Sequence, residues 1–583
     1  MKHIRHITLF AFGILILAGC SSPDTSGTND GNIDNGGNVP VVTGRTLSED
    51  QTFVVADDAP NGEIVGVVRA YPEYERIGAA PTFSGGNARC AVSADGVLSI
   101  QDNTGLLDAG ADDSFNVTVS KTGFDDIMIN VSVTVLDADA CVFVDPSAGA
   151  DGVGSRVSPR NTMPSSFNNS TAYLFRRGTV LTGSASWSVT GLSNVLFASY
   201  GTGAMPELRN LNTAFRISGG SDHITVRDLH LSYATLDEWG VVDICPIYGS
   251  AGQWSNISVV HNELSYWYQG VVIISWDGQP HGQNVTVEWN HVHHIGLDGI
   301  FVSHADGLTS LSNNRIEQVN TRWDSVGHTE QEAGGDGIQA GFCQDVQINH
   351  NYIDRSTQGN KFCIIPGDMT GYLQVNDNYL ITPLDIGTGI YWIRSTGEIR
   401  RNTIVDPHAD ASDNGVWLYG GDDIEIALNV FVGINRRAVL NQGGTNVRVW
   451  QNVFYDCNEA INHASTAEYI VASRNNIFFL NPGQSAYGAG IAGVANSDHN
   501  LFNLEQAAMF GIGNNDLAAV QPAAERHSVV GDPLFVDAAA GDFRIGAGSA
   551  ARDIGAPLGL AYDRYGNPVD GSPDPGVHEY SEP

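Results

Sequence analysis

An asparagine followed two positions later by an apolar residue recurs at short intervals through the C-terminal three quarters of the chain. Successive copies are separated by 28, 24, 37, 27, 24, 27, 23 and 24 residues. A repeat of this length, built from short strands and turns, indicates a β-solenoid in which each coil buries its apolar face against its neighbours. We therefore predict an all-β fold, with a right-handed single-stranded parallel β-helix over 139–583. The nine asparagines are Asn262, Asn290, Asn314, Asn351, Asn378, Asn402, Asn429, Asn452 and Asn476.

Charge excludes one large class of function. The 583 residues include 65 acidic and 29 basic side chains, for a net charge of −36, and only three of the basic residues are lysines. Binding of nucleic acid requires a basic surface, so no nucleic-acid partner is expected. Charged residues make up only 16% of the chain while glycine is abundant, which favours strands and turns over long charged helices.

The N-terminus has the pattern of an export signal. A short basic start precedes an apolar run from Ile7 to Leu17, which ends in Leu17-Ala18-Gly19-Cys20. The run is too short to cross a bilayer easily. It resembles the lipobox of bacterial lipoproteins, which implies that 1–19 is removed and that Cys20 carries the lipid. Ser21 in the next position implies the outer membrane, periplasmic or surface-exposed, and the polar stretch 20–45 reads as a flexible tether.

Residues 46–138 predict a separate β-sandwich. Short runs that alternate apolar and polar residues, such as Glu63 to Val68 and Ile127 to Val135, are divided by turn signals. The order of these runs resembles a cadherin-like or immunoglobulin-like module. The segment Val135 to Asp139 lacks the acidic pattern of cadherin calcium sites, so a spacer or carbohydrate-contacting module is expected.

The middle coils carry the residues that sugar-binding proteins use. Eleven of 17 histidines lie between His223 and His408, and eight of 10 tryptophans lie between Trp239 and Trp417. Segments 173–178 and 200–203 resemble the opening coils of secreted polysaccharide-active β-helix proteins, and 532–537 with 574–580 resembles their closing segment. The sequence thus predicts a monomer with a groove for an acidic polysaccharide.

One coil is longer than the others, and a lysine follows it. The interval of 37 residues contains a polar insertion from Trp323 to Gln339, and long polar insertions are often functional. Aligning Gly359 with the glycines of neighbouring coils places Lys361, the one lysine of 139–583, in an outward-facing row. The aligned glycines are Gly299, Gly337, Gly389 and Gly415, and the other members of the row are Phe301, Gln339, Tyr391 and Trp417.

A lysine in a groove can serve as a general base, and a nearby arginine can bind a sugar carboxylate. The segments 335–339 and 359–362 resemble alginate lyases of the single-layer β-helix kind, which implies β-elimination from a uronate polymer, alginate first. The catalytic candidates are Lys361, Tyr391, Arg394, His328 and His304, the two histidines standing in for a tyrosine that this chain lacks on the preceding coil. The candidates for substrate binding are Gln339, Asp336, Arg355, Trp417 and Trp323. Calcium is a possible cofactor, although no calcium-ligand pattern is recognisable.

Two other classes of function remain open. A glycoside hydrolase needs a pair of carboxylates, for which Asp298, Asp306, Asp336 and Glu332 are available. A non-catalytic surface binding protein or adhesin would also suit the anchor and the module. The epimerase-like Asp406-Pro407-His408 lacks the Tyr-Gly-Phe that precedes it in mannuronan C5-epimerases.

The cysteines do not distinguish between these classes of function. The six cysteines after Cys20 show no zinc-ligand spacing and are expected to be mostly buried thiols.

Overall fold

The structure of the protein is a computed structural model. It describes residues 50–581, apart from 73–74, 76–78, 105–111, 122–125, 184–185, 211–212, 234–246, 250–253, 276–281, 321–334, 358–360, 385–386, 409–412, 464–469, 489–493, 495, 505–516, 522–523 and 570. Cys20, Trp323, His328 and Glu332 therefore lie outside the described residues. Within those described, no helix is long and apolar enough to cross a membrane.

A small two-sheet module comes first. A four-stranded sheet in the order β1-β7-β6-β3 and a three-stranded sheet in the order β2-β5-β4 enclose one apolar core. The alternation of buried and exposed residues, clearest in β7, explains why these segments form strands that are buried on one face. The strands are β1 Gln51–Ala56, β2 Ile64–Val67, β3 Thr82–Gly85, β4 Cys90–Val92, β5 Val97–Ile100, β6 Asp112–Ser120 and β7 Ile127–Leu136.

A 3-10 turn at Ala138–Ala140 leads into the coils, where strands follow one another in threes. The first half comprises β8 Cys141–Val144, β9 Thr171–Arg176, β10 Val180–Gly183, β11 Trp187–Thr190, β12 Ser193–Tyr200, β13 Glu207–Asn210, β14 Phe215–Ser218, β15 Asp222–Arg227, β16 His230–Tyr233, β17 Ile247–Gly249, β18 Ser255–Val260, β19 Glu263–Ser265, β20 Val271–Ile274, β21 Gly282–Glu288, β22 His291–Ile295, β23 Ile300–Ser303, β24 Ala305–Ser312 and β25 Arg315–Val319.

The second half comprises β26 Ile338–Gly341, β27 Asp345–Asn349, β28 Tyr352–Asp354, β29 Lys361–Gly367, β30 Tyr372–Asn376, β31 Tyr379–Ile381, β32 Gly387–Ile393, β33 Thr396–Arg400, β34 Thr403–Val405, β35 Asn414–Tyr419, β36 Ile424–Ala427, β37 Val430–Val432, β38 Arg437–Asn441, β39 Val447–Trp450, β40 Val453–Tyr455, β41 Glu459–His463, β42 Ile470–Arg474, β43 Ile477–Phe479, β44 Ser485–Tyr487, β45 Ser497–Asp498 and β46 Leu501–Phe502. After the short helix α1 Leu517–Val520 come β47 Val529–Val530, β48 Phe535–Asp537, a 3-10 turn at Ala538–Ala540 and β49 Asp542–Ile545.

The coils stack into three parallel sheets, which confirms the predicted all-β parallel solenoid behind a small β-sandwich-like region. The first sheet contains β10, every third strand from it to β46, and β47. The second sheet contains β11 and every third strand to β44, and the third contains β8, β9, β12 and every third strand to β45. The inward rows of all three sheets form one continuous apolar core.

The repeated asparagines form a ladder of hydrogen bonds from coil to coil. Asn290, for example, donates its side-chain N–H to the Oδ1 of Asn314 at 3.0 Å and to the carbonyl of Val259 at 2.8 Å. The ladder runs one step beyond the nine repeats, to Asn500. The left-handed residue of each turn is the one before the asparagine, such as Trp289, rather than the asparagine itself. The asparagines therefore supply hydrogen bonds, not the unusual backbone conformation.

The module packs against the turns that carry the ladder. The ring of Phe53 lies 5.0 Å from that of His261, and Tyr71 stacks on His350 at 4.5 Å. Trp289, which belongs to the coils, is buried in the core of the module. Aromatic contacts therefore hold the module on the solenoid.

At the other end, the C-terminal segment covers the outer face of the first sheet. Phe543, Ile545, Tyr565 and Val577 form an apolar cluster with outward residues of the last coils. The outer faces of the earlier coils and of the second sheet contribute no residue to that cluster. The polar and aromatic side chains that could act on a ligand lie on these outer faces.

Candidate functional site

The second sheet carries the outward row that the sequence predicts, with one change. Phe301 pairs with Gln339, Gln339 with Ile365, and Tyr391 with Trp417. Ile365, not Lys361, therefore lies in line with these residues. The predicted inward partners Ile300, Ile338, Ile390 and Val416 are all fully buried.

The predicted register of Lys361 is wrong by four residues. Cys363, not Gly359, occupies the position of the glycines on neighbouring coils, since Gly337, Cys363, Gly389 and Gly415 follow one another at intervals of 26 residues. Lys361 pairs with Gly387 at the start of β32 and has a left-handed backbone, with φ 93°. It is half-buried at the turn between the first and second sheets.

This register separates the predicted catalytic pair. Arg394 directly follows the strand that begins at Gly387, so seven residues separate it from the level of Lys361. At about 3.3 Å per residue the separation along the strand is roughly 23 Å. Lys361 therefore lies where the strands of the second sheet begin, and Arg394 lies where they end; we call these two ends of the strands the edges of the second sheet. A shared role of the two side chains on one sugar carbon is excluded.

Lys361 lies instead beside a buried acidic corner, which we define as Asp298, Asp336 and Arg355. Asp298 accepts a hydrogen bond from the backbone N–H of Asp336 at 2.9 Å, and Asp336 accepts one from that of Phe362 at 3.1 Å. Burial raises the pKa of Asp298 to about 7 and that of Asp336 to about 6; Arg355 and then Lys361 oppose the shift at Asp336.

Arg355 is fully buried and cannot bind substrate as predicted. It donates to the carbonyl oxygens of Gly335 and Phe362 at 2.6 and 2.7 Å, and its Nη1 is 4.0 Å from the carboxylate of Asp336. Asp336, at 5% exposure, is likewise part of the turn and not of a surface. Both residues bind the corner of one coil to the next.

At the opposite edge of the sheet the charges are exposed. Arg394 donates from Nε and Nη2 to the two carboxylate oxygens of Asp368, at 2.7 and 2.8 Å. More than half of the Arg394 side chain is exposed, and this hydrogen-bonded pair raises its pKa further. This two-point hydrogen bond fixes the guanidinium and leaves Nη1 directed away from Asp368. Nη1 is therefore able to donate to a ligand carboxylate.

Next to Arg394 lies an aromatic patch, which we define as Phe362, Tyr391, Trp417 and Tyr419. Tyr391 stacks on Phe362 at 4.6 Å and contacts Trp417 edge-on at 4.9 Å. Its hydroxyl is buried, without a hydrogen-bond partner among the described residues, and burial raises its pKa. Tyr391, a predicted catalytic residue, is thus the floor of the patch.

Tyr419 is the accessible tyrosine, and sequence reasoning missed it. Its side chain is 36% exposed, and its carbonyl oxygen accepts the backbone N–H of Arg394 at 3.2 Å. The guanidinium of Arg394 interacts electrostatically with the hydroxyls of both Tyr419 and Tyr391. The alternation Trp417-Leu418-Tyr419 places both aromatic residues outward and could have indicated Tyr419.

The remaining predicted residues are spread along the same face. Trp417 donates from its indole N–H to Gln442 at 3.0 Å, and Gln339 is half-buried three coils earlier. His304 is buried, with its ring stacked on Phe342 at 4.7 Å and its Nδ1 2.7 Å from the hydroxyl of Ser303. Three coils separate His304 from Arg394, so it is not an acid–base partner at Tyr419.

Two further features lie away from this face. Among the described residues, Glu263, His291 and His293 group their side-chain ligand atoms within 4.8 Å of one another on the first sheet. A cleft of about 500 Å³ runs between β1 of the module and the third sheet, lined by residues that include Gln51, His261 and Glu288. The five described cysteines after Cys20 are buried free thiols, as expected.

Comparison with solved structures gives distant likenesses. A GH136 lacto-N-biosidase from Eubacterium ramulus is 13% identical, with 60% of this chain and 66% of that one covered and a TM-score of 0.34. The A-module of a mannuronan C-5 epimerase from Azotobacter vinelandii is 13% identical over 66% of this chain and 99% of that one, with a TM-score of 0.38. A PL6 family alginate lyase is 13% identical over 62% and 51%, with a TM-score of 0.36.

This chain spans just under two thirds of the lacto-N-biosidase, at 66% of its length. No family model and no curated protein matches the sequence.

Proposed function

We propose that the protein is a polysaccharide lyase that cleaves a uronate-containing polymer, alginate first, on the outer face of the second sheet. The observation that carries the proposal is the exposed pair of Arg394 and Tyr419 beside the aromatic patch. Aromatic rings suit the apolar faces of sugars, and a fixed guanidinium suits a carboxylate. The predicted lipid anchor at Cys20 would hold this enzyme at the outer membrane.

The roles follow from the chemistry of each group. Arg394 would bind the uronate carboxylate through Nη1 and stabilise the carbanion that forms when the C5 proton leaves. Tyr419, beside the same sugar, would take the C5 proton as the phenolate and, as the phenol so formed, return that proton to the glycosidic oxygen that leaves when the C4–O bond breaks. Trp417 and Tyr391 would form the platform under the ring. Lys361 has no catalytic role in this arrangement.

The test is the ultraviolet absorbance of the unsaturated sugar that a lyase creates. The full chain is incubated with alginate, pectate, ulvan and glycosaminoglycans. We expect a signal on at least one polymer and a loss of roughly 100-fold or more in Tyr419→Phe, since proton transfer contributes on that scale. Tyr372→Phe is the matched control, because Tyr372 is also an exposed outward tyrosine, 44% exposed on the third sheet. Absence of signal on every polymer, or full activity of Tyr419→Phe, overturns the proposal.

The raised pKa values of Asp298 and Asp336 favour a second candidate, glycoside hydrolysis. A carboxyl that stays protonated near neutral pH is a suitable general acid. Both groups are almost fully buried, however, and bind backbone N–H groups of their own turn. Release of reducing ends without ultraviolet absorbance, abolished in Asp298→Asn, would support this candidate over the lyase.

A further inference from the structure

The first sheet carries a cluster of metal-binding side chains on its outer face, which we call the histidine cluster and define as His230, Glu263, His291 and His293. The register places these residues on three consecutive coils, with His230 beside Glu263 and Glu263 beside His291. His291 and His293 flank Val292, which is buried, so both histidines point outward from the same strand. The alternation of the strands thus brings the four side chains to one place.

The distances within the cluster suit a small cation. The carboxylate Oε1 of Glu263 lies 3.2 Å from Nε2 of His293 and 3.9 Å from Nε2 of His230. The rings of His291 and His293 are stacked at 4.3 Å. Ligand atoms of a tetrahedral zinc ion, bound at about 2.0 to 2.1 Å, lie roughly 3.3 Å apart. Small side-chain rotations are therefore enough to surround one ion.

A second set of contacts orients these ligands. Nε2 of His291 lies 3.2 Å from the carboxylate of Glu317, which Arg315 holds at 2.6 Å. Nε2 of His230, the nitrogen that faces Glu263, lies 2.9 Å from the hydroxyl of Ser265, so His230 must release this contact to become a ligand. A carboxylate in contact with the imidazole of His291 is typical of metal-bound histidines, whose rings such contacts fix.

Charge and exposure point to the same kind of ligand. Glu263 and Glu317 supply two negative charges against the single positive charge of Arg315, so the cluster attracts a cation. The side chains of Glu263, His291 and His293 are 35%, 28% and 15% exposed. An ion held by them would face solvent on one side and keep a coordination position for water.

We propose that Glu263, His291 and His293 form a binding site for one Zn²⁺ ion. His230 is either the fourth ligand or a neighbour that holds Glu263 in position. Nitrogen and carboxylate donors in this number are the set that zinc prefers, whereas calcium and magnesium prefer oxygen alone. The site joins three coils and lies on a different sheet from Arg394 and Tyr419. It is independent of the proposed lyase activity.

The test uses the full chain, without a histidine tag and stripped with a chelator. Titration calorimetry with Zn²⁺ should give one strong site, and the melting temperature should rise with the Zn²⁺ concentration. His293→Ala and Glu263→Gln should each weaken the affinity at least about 10-fold, and Glu317→Gln by about 10-fold through the orientation of His291. Co²⁺ in place of Zn²⁺ should give a visible absorption band that His293→Ala removes.

The matched control is His527→Ala. His527 belongs to the other histidine and carboxylate group among the described residues, with Asp498 and His499, and it is more exposed. This variant should bind Zn²⁺ at the histidine cluster like the wild type. The proposal is overturned if the wild type shows no Zn²⁺-dependent change, if His293→Ala binds as tightly, or if His527→Ala alone abolishes the strong site. Unfolding curves without metal show whether each variant is folded.

Discussion

The two edges of the second sheet both concentrate charge, and they differ in what the charges contact. At one edge the acidic corner binds its charges to backbone groups and to each other, and Arg355 is completely buried. At the other edge Arg394 is bound to one carboxylate and exposed to solvent, with Tyr419 beside it. A strongly shifted pKa marks the first edge, whereas accessible donors mark the second.

The comparison shows that perturbed charge alone does not identify an active site. Burial shifts the pKa of a structural carboxyl as effectively as that of a catalytic one. A group that acts on a polymer must also reach it. If one edge serves stability and the other serves ligand binding, variants at the two edges should change different measured quantities.

The largest effect is expected at the buried edge. Arg355→Met removes the donor to two carbonyl oxygens and the larger of the two positive charges that act on the Asp336 carboxyl. Breaking a buried ionic contact costs about 3 to 5 kcal/mol, so the free energy of unfolding should fall by that amount. Arg448→Met, which removes an exposed ion pair, should cost under about 1 kcal/mol. Urea unfolding measures both, and equal losses would contradict the comparison.

The pH dependence of stability should also come from the buried edge. Burial raises the pKa of Asp298 from 3.8 to about 7, so the folded chain holds a proton there that the unfolded chain has lost. The stability that protonated Asp298 contributes is complete below the pKa of this carboxyl in the unfolded chain. It is lost as the pH rises through the pKa of the same carboxyl in the folded chain. Asp298→Asn cannot ionise and should lose less stability, by about 3 kcal/mol, between pH 4 and 7. Unfolding curves measured across that pH range test this expectation. It is refuted if the free energy of unfolding changes with pH equally in the wild type and in Asp298→Asn.

At the exposed edge, Arg394→Lys should lower kcat/KM for the polymer about 10-fold, because a lysine cannot keep the two-point contact with Asp368 while donating to a ligand. Arg401→Lys is a close control. Arg401 forms the same two-point contact with Asp377, at 2.9 Å for both bonds, but at the ladder turn. Steady-state kinetics on the cleaved polymer should separate the two variants; the same change in both would point to a structural effect.

Lys361→Ala should have the smallest effect. The lysine lies roughly 23 Å along the strand from Arg394 and is half-buried at the turn beside Asp336. We expect kcat/KM within about a factor of two of the wild type, since the residue contacts neither Arg394 nor Tyr419. A loss of roughly 100-fold or more would return the site to the acidic corner and invalidate the assignment to Tyr419.

Much of the fold was predictable because the solenoid repeats itself. The asparagine spacing predicted the solenoid, and the alternation of β32 and β35 predicted that Tyr391 and Trp417 share an outward row. The site was less predictable. Tyr391 and Tyr419 alternate alike in sequence, and only packing against Phe362 and Trp417 buries the first and leaves the second exposed.

The sequence also contained the signal for the histidine cluster. Glu263 and His291 each follow a ladder asparagine directly, so the repeat alone places them on neighbouring coils. The distance between their functional atoms depends on side-chain packing, and no spacing rule supplies it. The sequence could therefore indicate the neighbours but not the possible metal site.

What the sequence by itself determined is the class of fold, through the repeated asparagines and the strand alternation. What only the tertiary structure decided is register. Strand alternation has a period of two, so alternation alone cannot distinguish an alignment on Gly359 from one on Cys363, four residues later. Only the hydrogen-bonded pairing of whole coils distinguishes these two alignments. That pairing places Lys361 at the edge of the predicted site and not at its centre.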